Sequence, residues 1–178
     1  MISETDRVLV KRFLRTRDET SFRELYRRHT PALYRLGLRL AGGAEADAQD
    51  AIQDTWIRAC KSLSRFEWKS SLRTWLVGIL INRSREFNRE RWRRPEEKLP
   101  GEFPATTTAQ PGERIDLEQA ISRLPSGYRQ VLVLHDIEGN THEEISVLME
   151  ISVGTSKSQL FHARKTVRAM LRMESKGQ

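Results

Sequence analysis

Cysteine is nearly absent from this 178-residue chain: Cys60 is alone, which excludes a disulfide framework and a cluster of thiolate metal ligands. Long apolar runs are absent as well, because no stretch of about 18 apolar residues exists to span a bilayer. The N-terminal sequence mixes charges and lacks the apolar core of a signal peptide. We therefore expect a reduced, cytoplasmic location without membrane insertion.

Catalytic motifs are missing too, since neither a glycine-rich phosphate loop nor a nucleophile elbow occurs. Residues 142–144 come closest to a zinc-protease motif, but Ser146 stands where the second histidine is required. Asp50 and Asp54 could hold Mg²⁺, but the sequence places no third carboxylate and no general acid at a spacing that would bring it to the same site. We therefore predict no catalytic residues, no metal site, no cofactor and no enzymatic activity.

Positive charge is abundant, with 31 Lys and Arg residues against 24 Asp and Glu and a net charge of +7. This balance favours an anionic partner, and nucleic acid fits it better than a membrane surface does. A basic protein whose charge only maintains solubility is the alternative. Apolar residues make up 38% of the chain, which is enough for small helical cores but not for a large one.

Residues 141–165 predict two short helices with a tight break between them. Thr141 and Glu144 have the spacing of a capping box, and Ser152 is a good N-cap for the second helix. The second helix turns small polar and basic side chains outward, as reading of a DNA major groove requires. An ordinary helical hairpin with a solvated face fits the local pattern as well.

Residues 44–63 predict a helix with an acidic outer face. Asp50, Gln53 and Asp54 fall on that face, with Trp56 and Ile57 near its boundary. We call these five residues the acidic ridge. Acidic groups beside exposed apolar side chains, on a basic protein, indicate a surface for a protein partner. A solvated face with the tryptophan packed inward is the alternative.

The loop at residues 64–71 carries two aromatic rings among cations. Phe66 and Trp68 lie beside Arg65 and Lys69, and this combination suits stacking on unpaired bases. The two rings could equally plug the junction between the neighbouring helices.

A long helix follows this loop, apolar at first and rich in arginine at its far end, where it would bind phosphate. The arginines of this stripe are Arg83, Arg85, Arg89, Arg91, Arg93 and Arg94. Asn82 lies where the apolar face gives way to the stripe, and its amide could pair with a base edge or with a local backbone group.

Residues 95–112 contain four prolines and two glycines, and we interpret them as a flexible linker. The linker divides the chain into domains at residues 1–94 and 113–178. No strand pattern occurs, so we predict an all-α fold of two small helical domains, the second containing the helix-turn-helix. In the first domain Pro31 should kink its helix or restart it, with Thr30 as the cap.

Four short motifs occur in order along the chain. They are residues 48–56 (AQDAIQDTW), Phe66 with residues 72–82 (LRTWLVGILIN), Leu124-Pro125 with Tyr128-Arg129 and Leu132, and residues 153–164 from VGTSKS to Ala163-Arg164. Together with the linker, they resemble the extracytoplasmic-function (ECF) sigma factors, a group of the sigma-seventy family of bacterial RNA polymerase subunits. The resemblance covers residues 22–171.

This resemblance implies a factor that binds core RNA polymerase through the acidic ridge and directs transcription initiation at promoters, without catalysis of its own. It implies that one set of residues, the minus-ten set, helps to melt promoter DNA and reads a flipped base of the single strand. A second, the minus-thirty-five set, reads the double-stranded upstream element in the major groove. It also implies control by an anti-sigma factor.

The two sets are defined by position in this sequence. The minus-ten set is Arg65, Phe66, Lys69, Trp75, Asn82, Arg83, Arg85 and Arg89. The minus-thirty-five set is Thr155, Lys157, Ser158, Gln159, Phe161, His162 and Arg164.

Four positions depart from the family pattern. Gln49 stands where glutamate is usual, and Gln159 and His162 stand where arginine is frequent. Ser156 replaces an apolar residue, and we expect it to loosen the packing of the recognition helix.

Two other functions fit parts of the chain. A stand-alone helix-turn-helix transcription regulator would explain the C-terminal half but leave the acidic ridge unused. A scaffold whose basic faces are incidental would show no salt-dependent affinity for DNA.

Overall fold

The computed structural model describes residues 5–93 and 116–174, apart from the side chains of residues 88–93, 173 and 174. The predicted all-α fold is confirmed. The helices are α1 (Asp6–Thr16), α2 (Glu19–Leu40), α3 (Glu45–Ser62), α4 (Leu72–Arg93), α5 (Leu117–Ser122), α6 (Ser126–Leu132), α7 (His142–Met149) and α8 (Val153–Glu174). We call residues 5–93 the first unit and residues 116–174 the second unit.

Helix α2 shows how local sequence sets the ends of an element. The Asp18 carboxylate accepts hydrogen bonds from the backbone N–H groups of Thr20 and Ser21, so it is the N-cap. Hydrogen bonds from the hydroxyls of Ser21 and Thr20 lower the pKa of Asp18 to about 2. At the other end Gly42 and Gly43 take positive φ angles of 68° and 87°, which glycine adopts without strain.

Of the two alternatives at Pro31, the restart capped by Thr30 is wrong, because α2 runs through Pro31 without interruption. The proline ring faces solvent. Buried leucines on both sides of it, including Leu25 and Leu33, anchor the two halves of the helix in one core. Burial of these side chains outweighs the single backbone hydrogen bond that proline removes.

The first unit packs α1, α3 and α4 around α2. Leucines and isoleucines fill its centre, including Leu36, Ile52, Leu76 and Leu80. His29 is also buried, and its Nε2 lies 2.9 Å from a carboxylate oxygen of Asp6 on α1. The histidine is therefore a packed core residue.

The second unit is smaller and packs α5, α6 and α7 with α8. Helix α6 passes directly into a π-helical turn at Val133–Ile137. The wider turn shifts the phase of the apolar face of the helix, so that Ile137 is 39% exposed although it is apolar.

The two units contact each other: α7 packs on α4, and α5 and α6 pack near the C-terminal end of α2. Their buried residues form one continuous apolar cluster. The predicted linker lies outside the described residues, and the division into two domains stays a prediction. Within residues 5–93 and 116–174, no helix combines the length and the apolar composition needed to cross a bilayer.

Candidate functional site

The acidic ridge lies along α3 on the surface of the first unit. Asp50 and Gln53 are exposed, and the Ile57 side chain beside them is 45% exposed. The buried opposite face of α3, which includes Ala48 and Ile52, fixes this orientation. Helical spacing and tertiary packing therefore present two polar groups and one apolar group together to solvent.

Asp54 differs from its ridge neighbours because its carboxylate is already paired. One oxygen lies 2.7 Å from Nε of Arg58 and 3.2 Å from Nε of Arg83 on α4. Glu86 receives two further hydrogen bonds from Arg58, at 2.9 and 2.6 Å. These ion pairs link α3, which carries the ridge, to α4. Asp54 therefore stabilises the packing of the two helices in addition to lying on the ridge.

Trp56 is only 7% exposed, so the structure places it inward, the alternative that the sequence left open. Its indole N–H donates to the Thr30 hydroxyl at 3.0 Å, and its ring packs on Phe22 and Tyr26. On the surface next to this ring, α2 and α3 form a groove of about 580 Å³, which Ile57 also lines. Trp56 therefore helps to form the wall of this groove, but it exposes little surface of its own to a partner.

The aromatic residues of the loop at residues 64–71 pack into the junction between the helices that flank the loop. Phe66 stacks on Trp75 of α4 with ring centroids 4.8 Å apart, and Trp68 packs on the same phenylalanine at 4.8 Å. All three rings are half-buried. Arg65 and Lys69 are exposed, and Lys69 pairs with Glu67.

On α4, Asn82 is exposed, whereas the neighbouring Arg83 and Arg85 of the minus-ten set form ion pairs and hydrogen bonds within the protein. Arg83 pairs with Asp54, as described above. Arg85 donates to the Asn82 side chain at 3.3 Å, to the backbone carbonyl of Leu148 at 3.1 Å and to Glu150 at 2.7 Å. The last two partners belong to the second unit. The side chain of Arg89 lies outside the described residues.

The helix-turn-helix forms from the capping signals that the sequence predicted. The Thr141 hydroxyl accepts from the backbone N–H of Glu144, and the Glu144 carboxylate accepts from the N–H of Thr141. Ser152 accepts from the N–H of Thr155 at 2.9 Å and caps α8. Glu150 closes α7 in the left-handed conformation, with φ 51°. The predicted helix, turn and second helix are confirmed, except that the second helix is not short, since α8 has 22 residues and continues to Glu174.

Ser156 does not loosen the recognition helix, contrary to expectation. Its side chain is fully buried between α7 and α8, and its hydroxyl lies 2.9 Å from Nδ1 of His142. The hydroxyl therefore has a partner, and the bond ties the two helices together. Burial and the nearby positive charge of His135 lower the pKa of His142.

Helix α8 turns most of the minus-thirty-five set to solvent. Exposed members are Thr155, Lys157, Ser158, Phe161, His162 and Arg164, and Phe161 is 65% exposed. Gln159 is half-buried against Gly127 of α6, so it is poorly placed to reach a base. The geometry agrees with a helix that enters a groove, apart from this one residue.

Sequence reasoning missed the partners of the charged groups. Asp136 of the π-turn holds Arg164 with two hydrogen bonds of 2.6 and 3.0 Å, which lower the pKa of Asp136. The rings of His135 and His142 lie 4.7 Å apart. The partners are up to 28 positions apart in the sequence, and no local sequence pattern predicts such pairs.

The fold and surfaces together are those of a helical DNA-binding protein, with a helix-turn-helix in one unit and an exposed acidic and apolar ridge in the other. Comparison with protein families agrees with this class. The Sigma-70 region 2 family matches residues 25–94, and the Sigma-70 region 4 family matches residues 114–167.

Curated sigma factors are similar in sequence to this chain over most of its length. The ECF RNA polymerase sigma factor EcfG of Rhodopseudomonas palustris is 34% identical over 79% of this chain and 80% of its own length. The RNA polymerase sigma-H factor of Pseudomonas aeruginosa is 30% identical over 94% of both chains. The ECF sigma factor SigE of Mycolicibacterium smegmatis is 33% identical over 87% of this chain, which spans 63% of that relative.

Solved structures resemble the whole fold. The sigma factor RpoE of Bartonella quintana, solved with the anti-sigma factor NepR, matches 85% of this chain with a TM-score of 0.63 and 27% identity. It is covered over 96% of its own length. CnrH, solved with the cytosolic domain of CnrY, shares the fold with a TM-score of 0.60 over 96% of this chain and 99% of its own, at 24% identity.

The chain therefore belongs to the ECF sigma factors, the sigma subunits with which RNA polymerase initiates transcription.

Proposed function

We propose that this chain binds core RNA polymerase through the acidic ridge and positions it at promoters with two DNA-reading surfaces. The observation that carries this proposal is the pairing, in one chain, of an exposed acidic and apolar ridge with an exposed helix-turn-helix face. The basic composition favours DNA for the second surface, whereas the ridge repels it. A stand-alone regulator has no use for the ridge.

The minus-thirty-five set would read double-stranded DNA. Lys157 and Ser158 lie one turn into α8, where a recognition helix meets base edges, and Phe161 is placed for an apolar contact. Arg164 lies further along the helix, near the position for a phosphate contact. Gln159 is left out because it is half-buried.

The minus-ten set would bind the single strand at Asn82 and the arginines that follow it. Phe66 and Trp75 form a stacked platform beside the exposed Arg65, and an unpaired base could be held against such a surface. Extrusion of a base costs a few kcal/mol, so charged contacts from α4 must offset it. Equal binding of matched and scrambled minus-ten strands by the holoenzyme would contradict this assignment.

Three further expectations belong to the proposal. Because a similar sigma factor was solved in complex with an anti-sigma factor, we expect an anti-sigma factor to bind this chain too. We also place the protein in the cytoplasm, where its polymerase acts, and we expect it to act by binding without a catalytic step.

The ridge is tested by Asp50→Arg, which reverses an exposed charge, with affinity for purified core polymerase as the readout. We expect a loss of at least about tenfold, because an uncompensated charge at an interface is costly. Glu45→Arg is the matched control: it makes the same charge change on α3, about 140° away around the helix. Equal affinities of Asp50→Arg and the control would refute docking by the ridge.

Run-off transcription separates a sigma factor from a regulator. The chain is added to core polymerase on a template selected for binding by the reconstituted holoenzyme. A sigma factor yields a transcript without any other initiation subunit, whereas a stand-alone regulator yields none.

A further inference from the structure

We propose that the second unit takes up a proton at the pair His135 and His142 when it binds upstream duplex DNA, so that its affinity for the duplex rises as the pH falls. This inference rests on the proposed function, because it concerns DNA bound by the minus-thirty-five set. It adds a condition to that function. Unlike lysine and arginine, histidine changes its charge near neutral pH, so the strength of the upstream contact depends on pH.

The first observation is that two histidines pack against each other at the edge of the recognition helix. The ring of His135, in the π-helical turn, lies 4.7 Å from the ring of His142, at the start of α7. The side chain of His135 is 30% exposed, and His142 is half-buried. Two adjacent imidazolium ions repel each other, so a second proton enters the pair less readily than a first.

The second observation is that cations of the minus-thirty-five set lie near the pair. Lys157 and Arg164 are exposed and two helical turns apart on the same face of α8. Burial, the positive charge of His135 and the charges of Lys157 and Arg164 lower the pKa of His142, whereas the neighbouring Glu143 raises it. The free chain therefore keeps His142 largely neutral near pH 7, next to a surface that we propose to bind phosphate.

The third observation is that the hydrogen bonds of the pair use one nitrogen of each ring. Nδ1 of His135 lies 2.8 Å from Oδ1 of Asp136, and Nδ1 of His142 lies 2.9 Å from the Ser156 hydroxyl. Both contacts leave Nε2 for another partner. The same Oδ1 atom of Asp136 accepts a hydrogen bond of 2.6 Å from Arg164. Because Asp136 is shared with an arginine, its charge does not fully compensate a second cation.

Further charged groups on and around α7 are paired within the chain. From α4, Arg73 pairs with Glu138 at 3.4 Å and Arg85 pairs with Glu150 at 2.7 Å. Glu144 accepts a hydrogen bond from the backbone N–H at the N-cap of its own helix. These carboxylates are therefore occupied by partners other than the two histidines.

A DNA phosphate would act on the pair in the opposite direction to Lys157 and Arg164. An anion within about 4–6 Å of an imidazole favours its protonated form. Duplex DNA bound along α8 brings phosphates to the edge of that helix, where the histidines lie. Phosphate binding and proton uptake therefore favour each other, and linkage requires the affinity for DNA to rise as the pH falls.

The test uses holoenzyme reconstituted from core polymerase and the full-length chain. The probe is a fluorescein-labelled duplex that carries only the upstream part of the template selected for the run-off assay. Affinity is measured at about pH 8 and about pH 6.5. The ionic strength is held constant, because phosphate contacts depend on salt. Core polymerase without the chain gives the background.

The loss-of-function variant is His135→Gln with His142→Gln, which cannot take up the proton. The affinity of the wild type should rise on lowering the pH about fivefold more than that of this variant. Comparison with the variant cancels the titration of groups in polymerase. Equal pH dependence of the two holoenzymes overturns the inference.

His162→Gln distinguishes the pair from the exposed histidine of α8 itself. This variant can lower affinity at every pH, but it should keep the pH dependence. If His162→Gln lost the pH dependence while the double variant kept it, the proton would belong to the recognition helix and the inference would be overturned.

A fixed charge provides the opposite test, in which misfolding cannot imitate the expected gain. His135→Lys carries at every pH the charge that the pair acquires only by proton uptake. At about pH 8 it should bind the probe about fivefold more tightly than the wild type, and its pH dependence should match that of the double variant. Thr16→Lys is the control, because it adds the same charge at an exposed position of the first unit. Equal gains for the two lysine variants would show an effect of net charge and overturn the inference.

Failure of this inference differs from failure of the proposed function. If the wild-type holoenzyme supports run-off transcription and binds the probe without the expected pH dependence, only proton uptake is refuted. If it supports no transcription and does not bind the probe above background, the proposed function falls and the inference falls with it.

Discussion

The two surfaces that we propose to read DNA differ in how their charged side chains are paired. On α4, Arg83 and Arg85 are engaged by carboxylates, and Arg85 is covered by the second unit. On α8, Lys157, Phe161 and Arg164 face solvent, although Arg164 is oriented by Asp136. The difference concerns these arginines and not the whole minus-ten set, because Asn82 and Arg65 are exposed. Binding of duplex and single-stranded DNA should therefore depend differently on the contact between the units.

The largest expected effect concerns whether the units are independent. Trp56→Ala should cost about 3–5 kcal/mol and Ile145→Ala about 2–5 kcal/mol of stability, because both side chains are buried. Each unit has core residues of its own, so we expect each substitution to lower hydrogen-exchange protection mainly in its own unit. Equal loss of protection in both units would instead show a single cooperative domain.

The next effect concerns Arg129 of α6, which donates to the backbone carbonyls of Leu40, Ser122 and Leu124. This contact joins the two units, and we call it the Arg129 socket. Gly42→Ala and Gly43→Ala both place a side chain at positive φ, which costs about 1–2 kcal/mol. Only at Gly42 would the new methyl meet Arg129, and displacing the guanidinium adds about 1–3 kcal/mol, because buried carbonyls lose their donor. Urea unfolding measures the difference. Equal losses for the two variants would mean that the socket contributes nothing.

A smaller effect concerns the buried polar pair within the second unit. Ser156→Ala removes the hydroxyl bonded to His142 and should cost about 1 kcal/mol. Thr166→Ala serves as the control, since it truncates a half-buried hydroxyl residue elsewhere on the same helix. Comparable losses in urea unfolding would contradict a specific role for the pair.

The same pair makes the second unit sensitive to pH. Folding lowers the pKa of His142 below its usual value near 6.5, so the unfolded chain takes up this proton first as the pH falls. The stabilisation is complete above that value and is lost as the pH falls through the lowered pKa. Unfolding measured at about pH 7.5 and about pH 5.5 should show a smaller loss in His142→Gln than in the wild type. An identical loss in both proteins would exclude His142 as the cause.

The smallest effect concerns the exposed face of α8, which we propose to bind duplex DNA. Lys157→Ala should weaken binding of duplex DNA modestly and reduce the slope of log affinity against log salt by about 1, as expected for one lost phosphate contact. Lys11→Ala on α1 removes the same charge outside both sets. If the two variants change the slope equally, the effect is one of net charge and not of the recognition helix.

Local signals in the sequence predicted much of the fold correctly. The capping box of Thr141 and Glu144, the N-cap Ser152 and the glycines after α2 act over a few residues, so they can be read directly. The exposure of Asp50 and Gln53 followed from helical periodicity in the same way. These features depend on backbone hydrogen bonds and on which helix face is apolar.

Features that depend on partners distant in sequence could not be predicted. The inward position of Trp56 depends on Thr30 and on the aromatic rings of α2, and the satisfied burial of Ser156 depends on His142. The uninterrupted course of α2 through Pro31 depends on packing of leucines on both sides.

The sequence by itself determined the class of fold, the ends of the recognition unit and the character of each surface, because caps and periodicity act within one or two helical turns. Only the tertiary structure decided which arginines are paired and which carboxylates or carbonyl groups are their partners. Arg85 meets Glu150 across 65 positions and Arg129 meets Leu40 across 89, and a pairing of this kind exists only once both helices are packed.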